Sequence, residues 1–306
     1  MTRISTYAQN QAVIAQMLRS QSQVAQTQRQ VSTGEISEHY QGMARDAGTL
    51  VGAKAVESRT LKFIDLGKQV INRVDFQATG LSTVYDAADK LRQNLLNALA
   101  NNSGRTVAID VNSAFEVGKS VLNTKVNGSY LYAGSRTDIM PFNAVDLADL
   151  ATVINPIASY FDNDTKKSQV RIDQNLVVEY GQVASEMGQD LMGSIKAMAE
   201  YNAVTPFGQY LTPADRAMIE GQITALSAAM DKIGSLEATN GIVQKRLEDI
   251  IIRHEELDVV NKRLIADVSE VDMASAISRL NQDQLAVEAS YSLIRQLNKV
   301  SLLNFI

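Results

Sequence analysis

The chain has neither cysteine nor tryptophan among its 306 residues. Without thiols there can be no disulfide framework, no thiolate zinc site and no cysteine nucleophile, so nothing in the fold depends on the redox compartment. Aromatic residues make up only 6%, and 29 Lys and Arg are outnumbered by 34 Asp and Glu without forming a basic cluster. Neither stacking platforms nor phosphate-neutralising patches are therefore supplied for nucleic acid. No stretch approaches the roughly 20 apolar residues of a bilayer span. The opening residues also lack the apolar run of a cleavable secretory signal. The composition points away from nucleic-acid binding and membrane insertion.

Proline is scarce as well. Its four positions, Pro141, Pro156, Pro206 and Pro213, leave both flanks free of the strongest helix breaker. Nine of the 17 aromatics fall between Tyr130 and Tyr210, so the middle of the chain differs in kind from its ends. A length of 306 residues suggests about two domains.

The flanks carry helical periodicity. From Ile64, the positions Gly67, Ile71, Val74, Ala78, Leu81, Tyr85, Ala88, Arg92, Leu95 and Leu99 follow at steps of three and four, and nearly all are apolar. Ile219, Ile223, Leu226, Met230 and Ile233 repeat the pattern. After an interruption at Asn240-Gly241 it resumes through Val243, Leu247, Ile250, His254, Leu257, Asn261, Leu264 and Val268. Thr212-Pro213-Ala214-Asp215 opens that region with a capping hydroxyl, a first-turn proline and an acid. At the C-terminus Met273, Ile277, Leu280, Gln284, Val287, Tyr291 and Ile294 form a seam, followed by the apolar Leu302-Leu303-Asn304-Phe305-Ile306. The N-terminal stripe is weaker, with Ile4, Tyr7, Ile14, Leu18 and Ala25, and its three arginines are expected to face acids of the C-terminal helix.

In the middle, Ser168–Asp173 and Leu176–Tyr180 alternate with period two around Gln174-Asn175, which predicts a hairpin. Tyr160-Phe161 is a candidate third strand. The expected fold is mainly α: a long antiparallel helical bundle or coiled coil built from both chain ends, with a small β-rich inserted domain.

Candidate chemistry is thin. His254 lacks a second histidine four residues on, where Asp258 stands, so a zincin site is excluded and a seam histidine expected; His39 is read as a loop or interface residue. Asp162-Asn163-Asp164 lacks the glycine and glutamate of an EF-hand and reads as a polar hairpin turn. Lys166-Lys167 reads as a solvated hairpin tip. The glycines from Gly42 to Gly52 do not have nucleotide-loop spacing and read as a bend or hinge. No enzymatic site, metal or cofactor is expected.

The residues Arg3-Ile4-Ser5-Thr6, Gln28-Arg29-Gln30-Val31-Ser32-Thr33-Gly34, and Glu270 to Leu280 through Ser301-Leu302-Leu303 resemble the terminal helices of the bacterial flagellin family. Within that family, Asn127-Gly128-Ser129-Tyr130-Leu131-Tyr132-Ala133-Gly134-Ser135-Arg136-Thr137-Asp138, followed by Pro141-Phe142, is similar to a segment of the hook-associated members. The chain departs from the family after Gly34, where an Asp-Asp-Pro-like turn is replaced by Gly42-Met43-Ala44-Arg45-Asp46-Ala47-Gly48.

The resemblance implies a structural protein of the bacterial flagellum, placed between hook and filament, with the filament flagellin itself as the alternative. It implies extracellular delivery through the type III export apparatus without a cleaved signal, assisted by an export chaperone. Partners would be further copies of the chain, a neighbouring hook-associated protein and flagellin. Expected segments are a terminal coiled coil from 1–42 and 268–306 lining an inner tube, a helical rod from 43–136 and 185–267, and an outer β-rich domain at 137–184. Subunit contacts are expected at Ile4, Tyr7, Ile14, Leu18, Val31, Met273, Ile277, Leu280, Val287, Tyr291, Ile294, Leu302, Leu303 and Phe305. Chaperone contacts are expected at Ile277, Leu280, Val287, Tyr291 and Leu297. The physical ground is that an amphipathic chain end cannot bury its seam alone, so folding of the ends coincides with assembly.

Overall fold

The computed structural model describes residues 2–43 and 46–303, with side chains described for residue 8 and for residues 11–43 and 46–296. Seven α-helices and two small two-stranded sheets are found among them. In chain order these are α1 (Thr2–Thr33), α2 (Ala47–Ala100), α3 (Val107–Leu122), β1 (Lys125–Val126), β2 (Ser129–Tyr130), α4 (Leu147–Leu150), β3 (Ser168–Asp173), β4 (Leu176–Tyr180), α5 (Ala184–Val204), α6 (Pro213–Ser269) and α7 (Met273–Leu303). The fold is mainly α, with long helices from both chain ends. None of the described helices is long and apolar enough to cross a membrane.

The contacts divide the chain into two compact units, one of residues 1–60 and 256–306, the other of residues 61–255. In the second unit α2 buries Val70, Val74, Leu81, Val84, Ala88, Leu91 and Leu95. The expected seam is thus real but wider than its sequence trace. Ile71, Ala78 and Tyr85 are only half-buried, while Val70, Val84 and Leu91, one position to the side, are fully covered, because partner elements flank α2 on two sides of the stripe. Helix α6 contributes Ile219, Leu226, Met230 and Ile233 to the large cluster and Leu247 and Ile250 to a smaller one.

Helix α6 runs without a break through Asn240-Gly241, contrary to the interruption expected there. Asn240 is buried and donates from Nδ2 to the Val74 carbonyl of α2 at 3.0 Å, a tertiary bond that offsets the weak helix propensity of the dipeptide. The start of α6 is as expected. Thr212 Oγ1 accepts from the Asp215 N–H at 3.2 Å while the Asp215 carboxylate accepts from the Thr212 N–H at 2.7 Å, a reciprocal capping box.

The middle segment shares its core with the helices. Phe142 is fully buried among Phe115 of α3, Tyr160 and Phe161, with ring centroids 5.0 to 6.5 Å away. The Asn123 side chain satisfies both Phe142 backbone groups, accepting from its N–H at 3.0 Å and donating to its carbonyl at 2.9 Å. Tyr132 lies buried against Gly80 of α2, and burial pushes its hydroxyl well above the usual tyrosine range.

The β3–β4 hairpin turns at Gln174-Asn175 and pairs antiparallel, with an irregularity between Arg171 and Asp173. It turns Ile172, Val178 and Tyr180 onto Val70, Val74, Leu247 and Ile250.

Three local expectations are corrected. Tyr160 ends a short 3-10 turn (Ile157–Tyr160), and Phe161 makes only an isolated bridge to Phe142, so there is no third strand. Asp162-Asn163-Asp164 is not the hairpin turn. Asp164 accepts from the Ser135 hydroxyl, the Ser135 N–H at 3.0 Å and the Lys166 N–H at 3.0 Å, tying two loops together. These bonds, the Ser135 hydroxyl foremost, hold its carboxyl below the usual aspartate range. Lys166-Lys167 is therefore not a hairpin tip either. Lys167 pairs with Glu186 of α5 at 2.9 Å.

Candidate functional site

In the first unit, helices α1 and α7 pack antiparallel. Their facing sides repeat at steps of three and four. On α1 the covered positions are Val13, Met17, Ser20, Val24, Thr27 and Val31; on α7 they are Ala276, Leu280, Asp283, Val287, Ser290 and Ile294. Register is set by two polar bonds: Thr27 Oγ1 to Asp283 Oδ2 at 2.9 Å, and Gln21 Nε2 to the Tyr291 hydroxyl at 2.7 Å. Both pairs add to nearly the same residue sum, which fixes the antiparallel alignment.

The ends of the pair are capped locally. Gly34 adopts φ +75 and donates its N–H to the Gln30 carbonyl at 2.9 Å, closing α1 with a left-handed cap that a side chain would strain. The Ile36 N–H then reaches the Ser269 carbonyl and the Val271 N–H the Gly34 carbonyl, both at 2.8 Å. The Asp272 carboxylate accepts from the Ala274 and Ser275 N–H groups and opens α7. The Ser32-Thr33-Gly34 motif is thus the point where α1 is stapled to the α6–α7 junction.

A two-helix pair has only one covered face. Ile14, Leu18, Met273, Ile277, Leu285, Tyr291 and Leu293 remain exposed, Leu18 at 56% and Leu285 at 65%. Of the expected interface residues, Ile14, Leu18, Met273, Ile277 and Tyr291 lie in this open set, whereas Val31, Leu280, Val287 and Ile294 face the partner helix of the same chain. Ile4, Tyr7, Leu297, Leu302 and Leu303 lie in α1 and α7 with side chains outside the described part, and Phe305 lies outside the described residues. Of the three arginines expected to face acids of α7, Arg19 and Arg29 are exposed and make no ion pair with α7 among the described residues, and the Arg3 side chain lies outside the described part.

Sequence reasoning missed two things here. The covered stripe of α1 runs one position beside the apolar one, disguised by Ser20 and Thr27. Leu285 and Leu293, off the expected seam, add to the open surface. Within the same unit, Asn261 of α6 donates to the Ala53 carbonyl of α2 at 2.8 Å, and Leu257 and Leu264, expected in the seam, are exposed. The covered positions there are Asp258 and Asn261, and Asp258 pairs with Lys262 at 2.8 Å.

In the second unit, His254 is buried, stacks on Phe63 at 5.5 Å and places Nε2 2.7 Å from the Ile172 carbonyl. It belongs to the seam and ties the hairpin to α6. No group of three acidic or histidine side chains among the described residues is placed to hold a metal.

Residues 223–306 match the family model for the bacterial flagellin C-terminal helical region. Two solved structures resemble this chain. A protein from Vibrio parahaemolyticus described as a flagellar hook-associated protein superposes with a TM-score of 0.61 at 14% identity, over 76% of this chain and 99% of its own. Bacillus cereus FlgL does so with a TM-score of 0.50 at 12% identity, over 67% of this chain and 99% of its own. At these identities the likeness is one of fold. No curated protein matches this chain.

Proposed function

We propose that the chain is a structural protein of the bacterial flagellum that assembles with its own copies as the adaptor between hook and filament. The observation that carries this reading is the α1–α7 pair, whose apolar side chains Ile14, Leu18, Ile277, Leu285 and Leu293 stay in water in the single chain. Equivalent chains that bury such faces head to tail, through a rotation that does not close, form a helical array. The flagellin C-terminal match and the fold shared with a hook-associated protein and FlgL support the flagellar setting.

In this reading residues 1–42 and 268–306 form the inner assembly segment, 43–136 and 185–267 the helical rod, and 137–184 the outer element. The chain works outside the cell, with flagellin and a neighbouring hook-associated protein as partners. The type III apparatus and an export chaperone deliver it. The chaperone holds Ile277, Leu280, Val287, Tyr291 and Leu297 before the seam finds its final partners. The role is mechanical and not enzymatic.

Deleting residues 268–306 tests the reading. The expected product keeps a folded 61–255 unit but does not assemble, and cells carrying it are non-motile; retained motility would overturn the scheme. The filament-subunit alternative rests on the same C-terminal match, since filament flagellins carry that region too. Seeding purified protein with filament fragments separates the two, because an adaptor does not extend them indefinitely.

A further inference from the structure

The loop that follows α4 presents an apolar tip on a rigid mount. Lys196 of α5 is buried. Its ammonium donates to the Leu150 carbonyl at 2.8 Å and the Thr152 carbonyl at 2.7 Å and pairs with Glu200 at 2.7 Å. The Tyr160 hydroxyl donates to the Asp149 carbonyl at 2.5 Å. Despite this clamp, the apex leaves Val153 at 75% and Ile154 at 89% exposure. Two adjacent β-branched side chains held in water on a fixed backbone contribute nothing to the fold of the chain that bears them.

The surroundings of the tip are acidic. Residues 137–165 contain five aspartates and no lysine, arginine or glutamate. The carboxylates of Asp146 and Asp149 accept backbone N–H bonds only, and neither is paired with a cation among the described residues. The Lys119 ammonium nearby is spent on the Val145 carbonyl.

The same unit carries a surface of opposite character. On the outer face of α6, Ala238, Gly241 and Ile242 form a small exposed apolar strip, with Lys245, Arg246 and Arg253 along it. Ile242 is 70% exposed. One acid, Asp249, lies on the strip and is paired with Lys245 at 3.0 Å, which leaves Arg246 and Arg253 to make the strip positive.

We propose that the Val153-Ile154 tip of one copy seats on the exposed Ile242 strip of the next, with Asp146 and Asp149 facing Arg246 and Arg253. The occupant is a second copy because both halves of the match, an apolar tip among acidic residues and an apolar strip among basic ones, are present in one chain. A tip and a strip at different places on the same molecule make a heterologous contact, the kind that propagates from copy to copy. This rests on the self-assembly reading above and adds to it a lateral contact made by the 61–255 unit.

The absence of native cysteine makes the test direct. Full-length Ile154→Cys and Ile242→Cys proteins are mixed under conditions where sedimentation shows self-association, then oxidised. The expected result is a disulfide between the two variants at least tenfold above that between Ile154→Cys and a control Val204→Cys. Adding Arg246→Glu and Arg253→Glu to the Ile242→Cys chain should lower the yield about tenfold. Association without the selective disulfide, an Ile154→Cys self-disulfide as the main product, or indifference to the charge reversal overturns the contact while leaving assembly through the terminal helices intact. Failure of the full chain to associate at all overturns both.

Discussion

Asn240 of α6 and Val74 of α2, 166 residues apart, are joined by a buried hydrogen bond from the asparagine amide to the valine carbonyl at 3.0 Å. A lone amide in an apolar seam is satisfied in one register only, because a slip of either helix would leave its donors unpaired in the core. Replacing Asn240 by Asp removes the donor and sets a carboxylate against a carbonyl oxygen. The expected loss is on the order of 3 kcal/mol at neutral pH. It should be partly recovered in acid, where the protonated group donates again. Urea unfolding of Asn240→Asp at pH 7 and pH 4 checks both parts, and a midpoint equal to wild type at pH 7 would contradict the register argument.

The capping box at the start of α6 makes stability depend on pH in a definite direction. Burial works against the charge on Asp215, but the Thr212 N–H, the Tyr201 hydroxyl at 2.8 Å and the Thr212 hydroxyl outweigh it and hold the carboxyl below the usual range. A group whose affinity for protons is lowered by folding stabilises fully above its unfolded value, near 4. That contribution fades as pH falls through its folded value. Asp215→Asn should flatten the acid limb of the stability profile, and Thr212→Ala should cost about 1 kcal/mol at neutral pH. Denaturant midpoints between pH 3 and 7 measure both.

Periodicity made the long helices legible, because Ile64 to Leu99 and Ile219 to Ile233 repeat at helical steps over many turns. It could not say which neighbour covers which stripe. On α1 the apolar Ile14 and Leu18 face outward, while Ser20 and Thr27 lie in the covered seam. Where apolar residues stand both in the covered stripe and on the open face, hydrophobicity marks both alike. Tyr160-Phe161 was misread for a related reason. Aromatic residues suit a strand as well as a packed turn, and only the position of Phe142 beneath them decides. Asn240-Gly241 has the composition of a break, and the partner that cancels it lies 166 residues away.

Glycine gives opposite outcomes at two helical positions. A β-carbon on Gly80 would collide with the buried Tyr132 hydroxyl, whereas one on Gly221 meets nothing within 4 Å. Gly221→Ala gains helix propensity and should stabilise by up to about 1 kcal/mol. Gly80→Ala gains the same propensity but forces Tyr132 out of its place, for a net loss of about 1 to 2 kcal/mol. Thermal melts of the two variants should move in opposite directions, and a rise in both would mean that Tyr132 can shift without cost.

Leu285 separates folding from assembly. It stands 65% exposed on α7, away from the stripe of Leu280, Asp283 and Val287 that faces α1. Glutamate there should change the stability of the isolated chain by less than about 0.5 kcal/mol, the range of ordinary surface substitutions. In an assembly that buries this position, the same charge would lose its water against apolar neighbours, so the concentration needed for self-association should rise at least tenfold. Val287→Glu is the contrasting variant, since it strikes the covered seam and should weaken both the α1–α7 pairing and the assembly. Light scattering for association and circular dichroism for helix content read the two effects separately. If Leu285→Glu assembles like the parent chain, the outer face of α7 is not an assembly surface.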